Sequence, residues 1–171
     1  KENRLGKIFN GMARILWTRD NNYYLQAPWR GTWALDGGTL MNQCIHNIDL
    51  INWMMDDEID TVYSQTSNYI RNIEAEDYGV IIIRYKSGKI ATIEGSAIIY
   101  PKNLEETLTI TGEKGTVVIG GMAVNKINTW RVEGDNEEKY LSIDCGDPNS
   151  VYGYGHEALY KDFLDALDEN R

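Results

Sequence analysis

The chain is short of several residue types, and each shortage closes off a class of function. Its two cysteines, Cys44 and Cys145, lie far apart with no partner in metal-ligand spacing. Neither a disulfide framework nor a metal site is expected, and free thiols in a reducing compartment fit that usage. Basic residues are outnumbered, 17 Lys and Arg against 26 Asp and Glu for a net charge of −9, and they form no cluster. Phosphate binding needs concentrated positive charge, so no nucleic-acid partner is expected. No apolar run approaches the roughly 20 residues of a membrane-spanning helix. The best candidate, Val80-Ile81-Ile82-Ile83, is closed at once by Arg84. Lys1-Glu2-Asn3-Arg4 leads into no apolar signal core. These absences predict a soluble, cytoplasmic protein with no membrane partner, and 171 residues suffice for one core but not for two ordinary domains.

What the chain has in quantity is aromatic surface, 11 Tyr and 5 Trp, a load that fits a carbohydrate-type site or a large subunit interface. Residues 7–19 read as a first strand ending at the turn Asp20-Asn21-Asn22, followed by an aromatic loop over 23–33. Asp36-Gly37-Gly38 opens a helix over 39–55. Beyond it, 61–70, 77–85, 89–99, 106–111, 115–119, 123–132 and 139–143 read as strands, with hairpins about Ser87-Gly88 and between Gly112 and Gly115. After the turn Tyr152-Gly153-Tyr154-Gly155, Leu159, Phe163, Leu164 and Leu167 recur at helical spacing within 156–169. The pattern predicts an α+β fold, a large, mainly antiparallel open β-sheet with helices on one face. The Val80-Ile81-Ile82-Ile83 run is apolar on both sides of the pleat, so the second face is expected to meet a partner subunit or a missing domain. A homodimer or homotetramer through that face is the expectation, with Ile83 and Ile93 as interface positions.

On a 3.6-residue helix, Met41, Cys44, Ile45, Ile48, Ile51 and Met55 form one stripe, expected to face the core. Beside it falls a second stripe of Asn42, His46, Asp49 and Trp53, which aligns a histidine with an amide and a carboxylate. Such neighbours can fix a tautomer and ready an imidazole for proton transfer near neutral pH. The plainer alternative is a structural histidine, with Asp49 a packing partner.

The stretch Trp29-Arg30-Gly31-Thr32-Trp33-Ala34-Leu35-Asp36-Gly37-Gly38, running into Leu40-Met41-Asn42-Gln43-Cys44-Ile45-His46-Asn47-Ile48-Asp49-Leu50, resembles the signature of the C-terminal domain of the Gfo/Idh/MocA oxidoreductases. Tyr100-Pro101-Lys102-Asn103-Leu104-Glu105 and Gly120-Gly121-Met122-Ala123-Val124-Asn125-Lys126 look most like the branch that oxidises the 3-hydroxyl of UDP-N-acetylglucosaminuronate. The resemblance implies that residues 1–171 form a substrate-binding and oligomerisation domain, with the sheet of a glyceraldehyde-3-phosphate-dehydrogenase-like C-terminal domain. It further implies an N-terminal Rossmann domain that binds NAD(P) and is absent from this chain. This chain has neither a Gly-x-Gly-x-x-Gly turn nor the Glu-Lys-Pro motif of that domain. No cofactor-binding residue is therefore expected here, and the chain alone is expected to be inactive.

By the same resemblance the catalytic histidine falls on His46, and the position one turn before it, often Asp in relatives, is Asn42. Arg30 suits a uronate carboxylate or pyrophosphate by bidentate hydrogen bonding, with stacking on Trp33 or pairing with Asp36 as the alternatives. Tyr24, Trp29 and Trp33 are candidates for a sugar platform, and Lys102 and Asn103 for contacts to the nucleotide portion of the substrate. The expected activity of the intact enzyme is oxidation of a secondary hydroxyl of a nucleotide sugar. The rival is a non-catalytic sheet module for assembly or ligand binding, in which His46 is structural.

Overall fold

The computed structural model describes residues 3–121, 124–143, 146 and 155–171. Seven strands form one open sheet in the order β2-β3-β4-β1-β5-β6-β7. They are β1 (Ile8–Leu16), β2 (Ile59–Ser67), β3 (Tyr78–Tyr85), β4 (Ile90–Ser96), β5 (Glu105–Gly112), β6 (Gly115–Gly120) and β7 (Lys126–Val132). Every neighbouring pair is antiparallel except β1 with β4. A parallel pair needs a long crossover, and this one carries the helices α1 (Asn21–Leu25), α2 (Thr39–Asn42) and α3 (Ile45–Met55). The expected α+β class with a mainly antiparallel open sheet is the observed one. Two further helices follow the sheet, α4 (Glu137–Leu141) and α5 (Gly155–Asp168). Among the described residues no helix is long and apolar enough to cross a membrane.

The core lies between α2–α3 and one face of the sheet. Ala13 and Ile15 of β1, Ile83 and Tyr85 of β3, Ala91 and Ile93 of β4, and Leu108 and Ile110 of β5 pack under Cys44, Ile51 and Met55. This corrects one expectation, because Ile83 and Ile93 are buried beneath α3 and cannot reach a partner. Their neighbours Ile82 and Thr92, paired on β3 and β4, face the other way. Ile82 remains 43% exposed there.

The helix expected over 39–55 is two helices, parted at Gln43 and Cys44. The floor beneath the junction is made by two glycines of the sheet. Gly79 and Gly95 are cross-strand partners. A Cβ on Gly79 would stand 2.7 Å from Leu40 Cδ1, and one on Gly95 would stand 2.6 Å from Cys44 Sγ. Leu40 and Cys44 therefore both sink into this hollow, one turn apart and on the same side as Ile51 and Met55. The core stripe shifts accordingly. Met41 and Ile45, expected inside, are 60% and 38% exposed, while Asn47 is enclosed.

Residues 139–143, expected as a strand, begin inside α4 instead. Asn136 caps that helix by accepting from Glu138 N at 3.0 Å, Glu137 and Glu138 occupy its positive first turn, and Tyr140 stacks on Trp130 at 4.2 Å. Strand β7 begins at Lys126, and Cys145, Ala123 and the Tyr152-Gly153-Tyr154 part of the expected turn lie outside the described residues.

Candidate active site

Because β1 and β4 are parallel, their carboxyl ends emerge side by side. The chain beyond them stays paired, Trp17 N donating to Ser96 O at 3.0 Å and Arg19 N to Ala97 O at 2.9 Å. Asp20 then caps α1 by accepting from Tyr23 N at 2.9 Å, which plants Tyr23 and Tyr24 at this end of the sheet. The loop after α1 is held from below. Asp77, wholly buried, accepts backbone N–H bonds from Tyr69, Ile70 and Arg71 at 2.9 Å each. The segment it fixes returns Glu74 N and Ala75 N to Gly31 O, both at 3.1 Å. Arg30 is thus placed by a carboxylate more than forty residues downstream in sequence.

Arg30 lies between two aromatic faces, with its guanidinium carbon 4.2 Å from the Tyr23 ring centroid and 4.6 Å from that of Trp29. Its Nη1 donates to Tyr23 Oη at 2.6 Å. Its Nε is enclosed yet meets no acceptor among the described residues. Stacking on Trp33 and pairing with Asp36, the two alternatives, are not what the structure shows. Asp36 instead accepts from Gly31 N at 2.7 Å and from the Asn42 amide. The phenol of Tyr24, edge-on to Tyr23 at 5.1 Å, is pushed up to about 12 by burial, with Tyr23 adding to the shift, and so stays neutral.

Asn42 joins this cluster through Tyr23, whose Oη donates to Asn42 Oδ1 at 3.0 Å, and Gln43 donates to the same oxygen. Both ends of the Asn42 amide are therefore engaged. His46 is the second residue of α3, exposed, and its imidazole makes no hydrogen bond to a described residue. The expected alignment with Asn42 and Asp49 does not become a bond. Asn103 Oδ1 accepts from Thr18 N at 2.9 Å and anchors the segment before β5 to the end of β1, while Lys102 is exposed.

Two features hold the α2–α3 junction. Glu76, largely buried, takes the place of an N-cap for α2, its carbonyl accepting from Thr39 N at 2.8 Å and its Oε1 from Leu40 N at 3.0 Å. The carboxyl lies where a side chain on Gly38 would have to go, with a Cβ there 2.1 Å from Glu76 Cδ. Asn47, 2% exposed, donates to Glu106 Oε1 on β5 at 3.1 Å. Burial holds the Glu106 carboxyl above the ordinary carboxylate range, with the bond from Asn47 opposing it. The Cys44 thiol, buried between these two carboxylates, is pushed up to about 12, chiefly by desolvation, and is unreactive.

The family of GFO/IDH/MocA C-terminal domains matches residues 1–118. The chain belongs to that family. It is similar to the WlbA dehydrogenase from Bordetella pertussis in complex with NADH and UDP-GlcNAcA, at 42% identity and a TM-score of 0.75, covering 78% of this chain and 41% of that one. The WlbA dehydrogenase from Chromobacterium violaceum, also in complex with NADH and UDP-GlcNAcA, is 35% identical with a TM-score of 0.80, covering 97% of this chain and 46% of that one. Myo-inositol 2-dehydrogenase of Thermotoga maritima is 23% identical over 112 residues, 63% of this chain and 33% of that protein. The chain spans less than half the length of each of these relatives.

Sequence reasoning missed several residues of this GFO/IDH/MocA domain that the structure brings to the site: Tyr23, Gln43, Glu76, Asp77 and the pair Asn47–Glu106. Asp20 ahead of Asn21-Asn22-Tyr23 is a cap signal that could have placed Tyr23 on a helix. Glu76 and Asp77 carry no local signal, because their partners are backbone groups distant in sequence.

Proposed function

We propose that this chain is the substrate-binding and oligomerising domain of a nicotinamide-dependent dehydrogenase that oxidises a secondary hydroxyl of an anionic sugar, of the UDP-N-acetylglucosaminuronate type. The observation that carries the reading is the guanidinium of Arg30. A buried donor without an acceptor costs about 1–3 kcal/mol. Arg30 bears such a donor at Nε and is fixed between Tyr23 and Trp29, and its Nη2, bonded to no described residue, is the donor left for a carboxylate or phosphate oxygen. Trp29, 40% exposed, extends the same clasp as a platform for a sugar face. The two WlbA complexes with NADH and UDP-GlcNAcA support both the cofactor and the substrate class.

The residues of this chain do not fit a dinucleotide. The strand-to-helix turns among the described residues are Trp17-Thr18-Arg19-Asp20 and Glu133-Gly134-Asp135-Asn136, neither with the glycine spacing of a pyrophosphate cradle and both bearing carboxylates. In this reading a separate Rossmann domain of the intact protein holds NAD(P) and receives the hydride. What falls to this chain is orientation and the hydroxyl proton. Arg30, Tyr23 and Trp29 hold the anionic end, Asn42 and Asp36 brace Tyr23 and Gly31, and His46 takes the proton from the reacting hydroxyl. A histidine with a structural role would be packed or bonded, whereas His46 is exposed and makes no bond to a described residue. Lys102 and Asn103, in the segment before β5 that Asn103 ties to Thr18, are the candidates for contact with the nucleotide portion.

In the full-length enzyme, His46→Asn is expected to lower kcat by at least about 100-fold with little change in KM or melting temperature, as for a group needed mainly in the transition state. Turnover near the wild-type rate would transfer the acid–base role away from this chain and favour a non-catalytic domain.

A further inference from the structure

Among the described residues, one amphipathic helix and one apolar groove stand open. Helix α5 is amphipathic, with Leu159, Tyr160, Phe163, Leu164 and Leu167 along one stripe, each 58–66% exposed. It packs against no other described helix or strand. The second surface lies on the helix-bearing face of the sheet, beyond α3. There β5, β6 and β7 present Leu108, Ile110, Val117, Ile119 and Trp130 as the floor of a groove of about 700 Å³, with Trp53 of α3 on one wall.

We propose that the apolar stripe of α5 docks into this groove within the same chain. An isolated helix of 14 residues is marginal in water, so α5 needs a surface to persist. The dimensions agree, because three strands about 4.8 Å apart give a floor about 10 Å wide, the diameter of a helix. Charge agrees as well. Arg4, Lys7 and Lys89 stand at the groove beside Asp56, and the polar side of α5 carries Glu157, Asp162, Asp165 and Asp168 against Lys161, with Asp162 paired to Arg171. Arg4 and Lys89 already face Asp135 and Asp57, whereas Lys7 has no partner among the described residues and is left for the helix. The connection between β7 and α5 is long. Gly146 O accepts from Asn125 Nδ2 at 2.7 Å and so lies just ahead of β7. The nine peptide steps from Gly146 to Gly155 span up to about 30 Å.

The test uses the 171-residue chain with fluorinated tryptophan. Trp53 and Trp130 line the groove, while Trp29 and Trp33 lie at the other end of the domain. Phe163→Asp is expected to shift the fluorine resonances of Trp53 and Trp130, to leave those of Trp29 and Trp33 in place, and to speed amide exchange across α5 by at least about tenfold. Leu167→Asp should do the same and Lys161→Ala should do neither. Unmoved Trp53 and Trp130 resonances in both aspartate variants would overturn the proposal, with the groove then left to a segment outside this chain. So would wild-type resonances that shift on dilution, which would place the helix in a second copy.

Discussion

Asn47, enclosed one residue past His46, is tied to Glu106 of β5 by a single 3.1 Å bond that crosses from helix to sheet. It pins the first turn of α3, where the N-cap residue Cys44 makes no side-chain capping bond of its own. The Glu106 carboxyl is raised by burial, so the folded protein holds that proton more tightly than the unfolded chain, whose carboxyl titrates near about 4.3. The sign follows from linkage. Below the unfolded value both states are protonated and Glu106 has no effect on the pH slope. As pH climbs through the raised folded value, the native state must lose a favoured proton and stability falls. Glu106→Gln should remove that fall, so urea midpoints of wild type and variant should diverge in favour of the variant from about pH 4 upward. Parallel midpoints across the range would show that Glu106 is not desolvated.

Gly95 sets how closely the α2–α3 junction approaches the sheet. A methyl group there would meet Cys44 Sγ at 2.6 Å and Leu40 Cδ2 at 2.9 Å, and Cys44 is wholly buried. Gly95→Ala is expected to cost about 1–3 kcal/mol through overpacking. Adding Cys44→Ala should return part of that loss, a coupling that a double-mutant cycle by denaturant unfolding will read directly. Strictly additive effects would mean that the junction does not rest on this hollow.

The strands were legible because their signals are local. The runs at 78–85 and 90–96 alternate or stay β-branched and are bounded by turn residues, and they were located to within a few positions. The break in the first long helix was not legible, since Gln43 and Cys44 include no glycine or proline. The hollow that receives Leu40 and Cys44 is made by Gly79 and Gly95 of the sheet, which no helical period can report. Helix α4 was misread because Tyr140, Leu141 and Ile143 suggest a strand, although Asn136-Glu137-Glu138 is a capping signal that outweighs them. At the site, Arg30 and Trp29 were named without the residue that links them. Tyr23 sits before the loop on α1, and Asp36, the expected partner of Arg30, is already taken by Gly31 and Asn42.

The open face of the sheet is the expected assembly surface, and the structure identifies which residues can test it. Arg14 lies there between Glu94 at 3.1 Å and Glu105 at 2.8 Å, so these three charges are already paired. Ile82 projects among them, with 43% of its surface exposed. Ile82→Asp is expected to leave the monomer folded, with its unfolding free energy changed by no more than about 1 kcal/mol, while splitting the oligomer in light scattering. A wild-type chain that stays monomeric at high concentration would remove the premise.

Arg30 separates recognition of an anion from simple charge. Its planar guanidinium is held face-on by Tyr23 and Trp29, and one nitrogen bonds Tyr23 Oη, so the edge left for substrate has a fixed direction. Lysine keeps the charge but offers neither the fork nor the stacking plane. In the full-length enzyme, Arg30→Lys should therefore raise KM for an anionic nucleotide sugar by at least about tenfold, nearly as much as Arg30→Ala does, with kcat reduced far less. A neutral sugar alcohol, if turned over at all, should show the same KM in all three proteins. Rescue by lysine would mean that Arg30 supplies only a diffuse positive field. A loss of kcat equal to the gain in KM, for both substrates, would mean instead that Arg30 acts by bracing Tyr23 and Asn42 against the junction that carries His46.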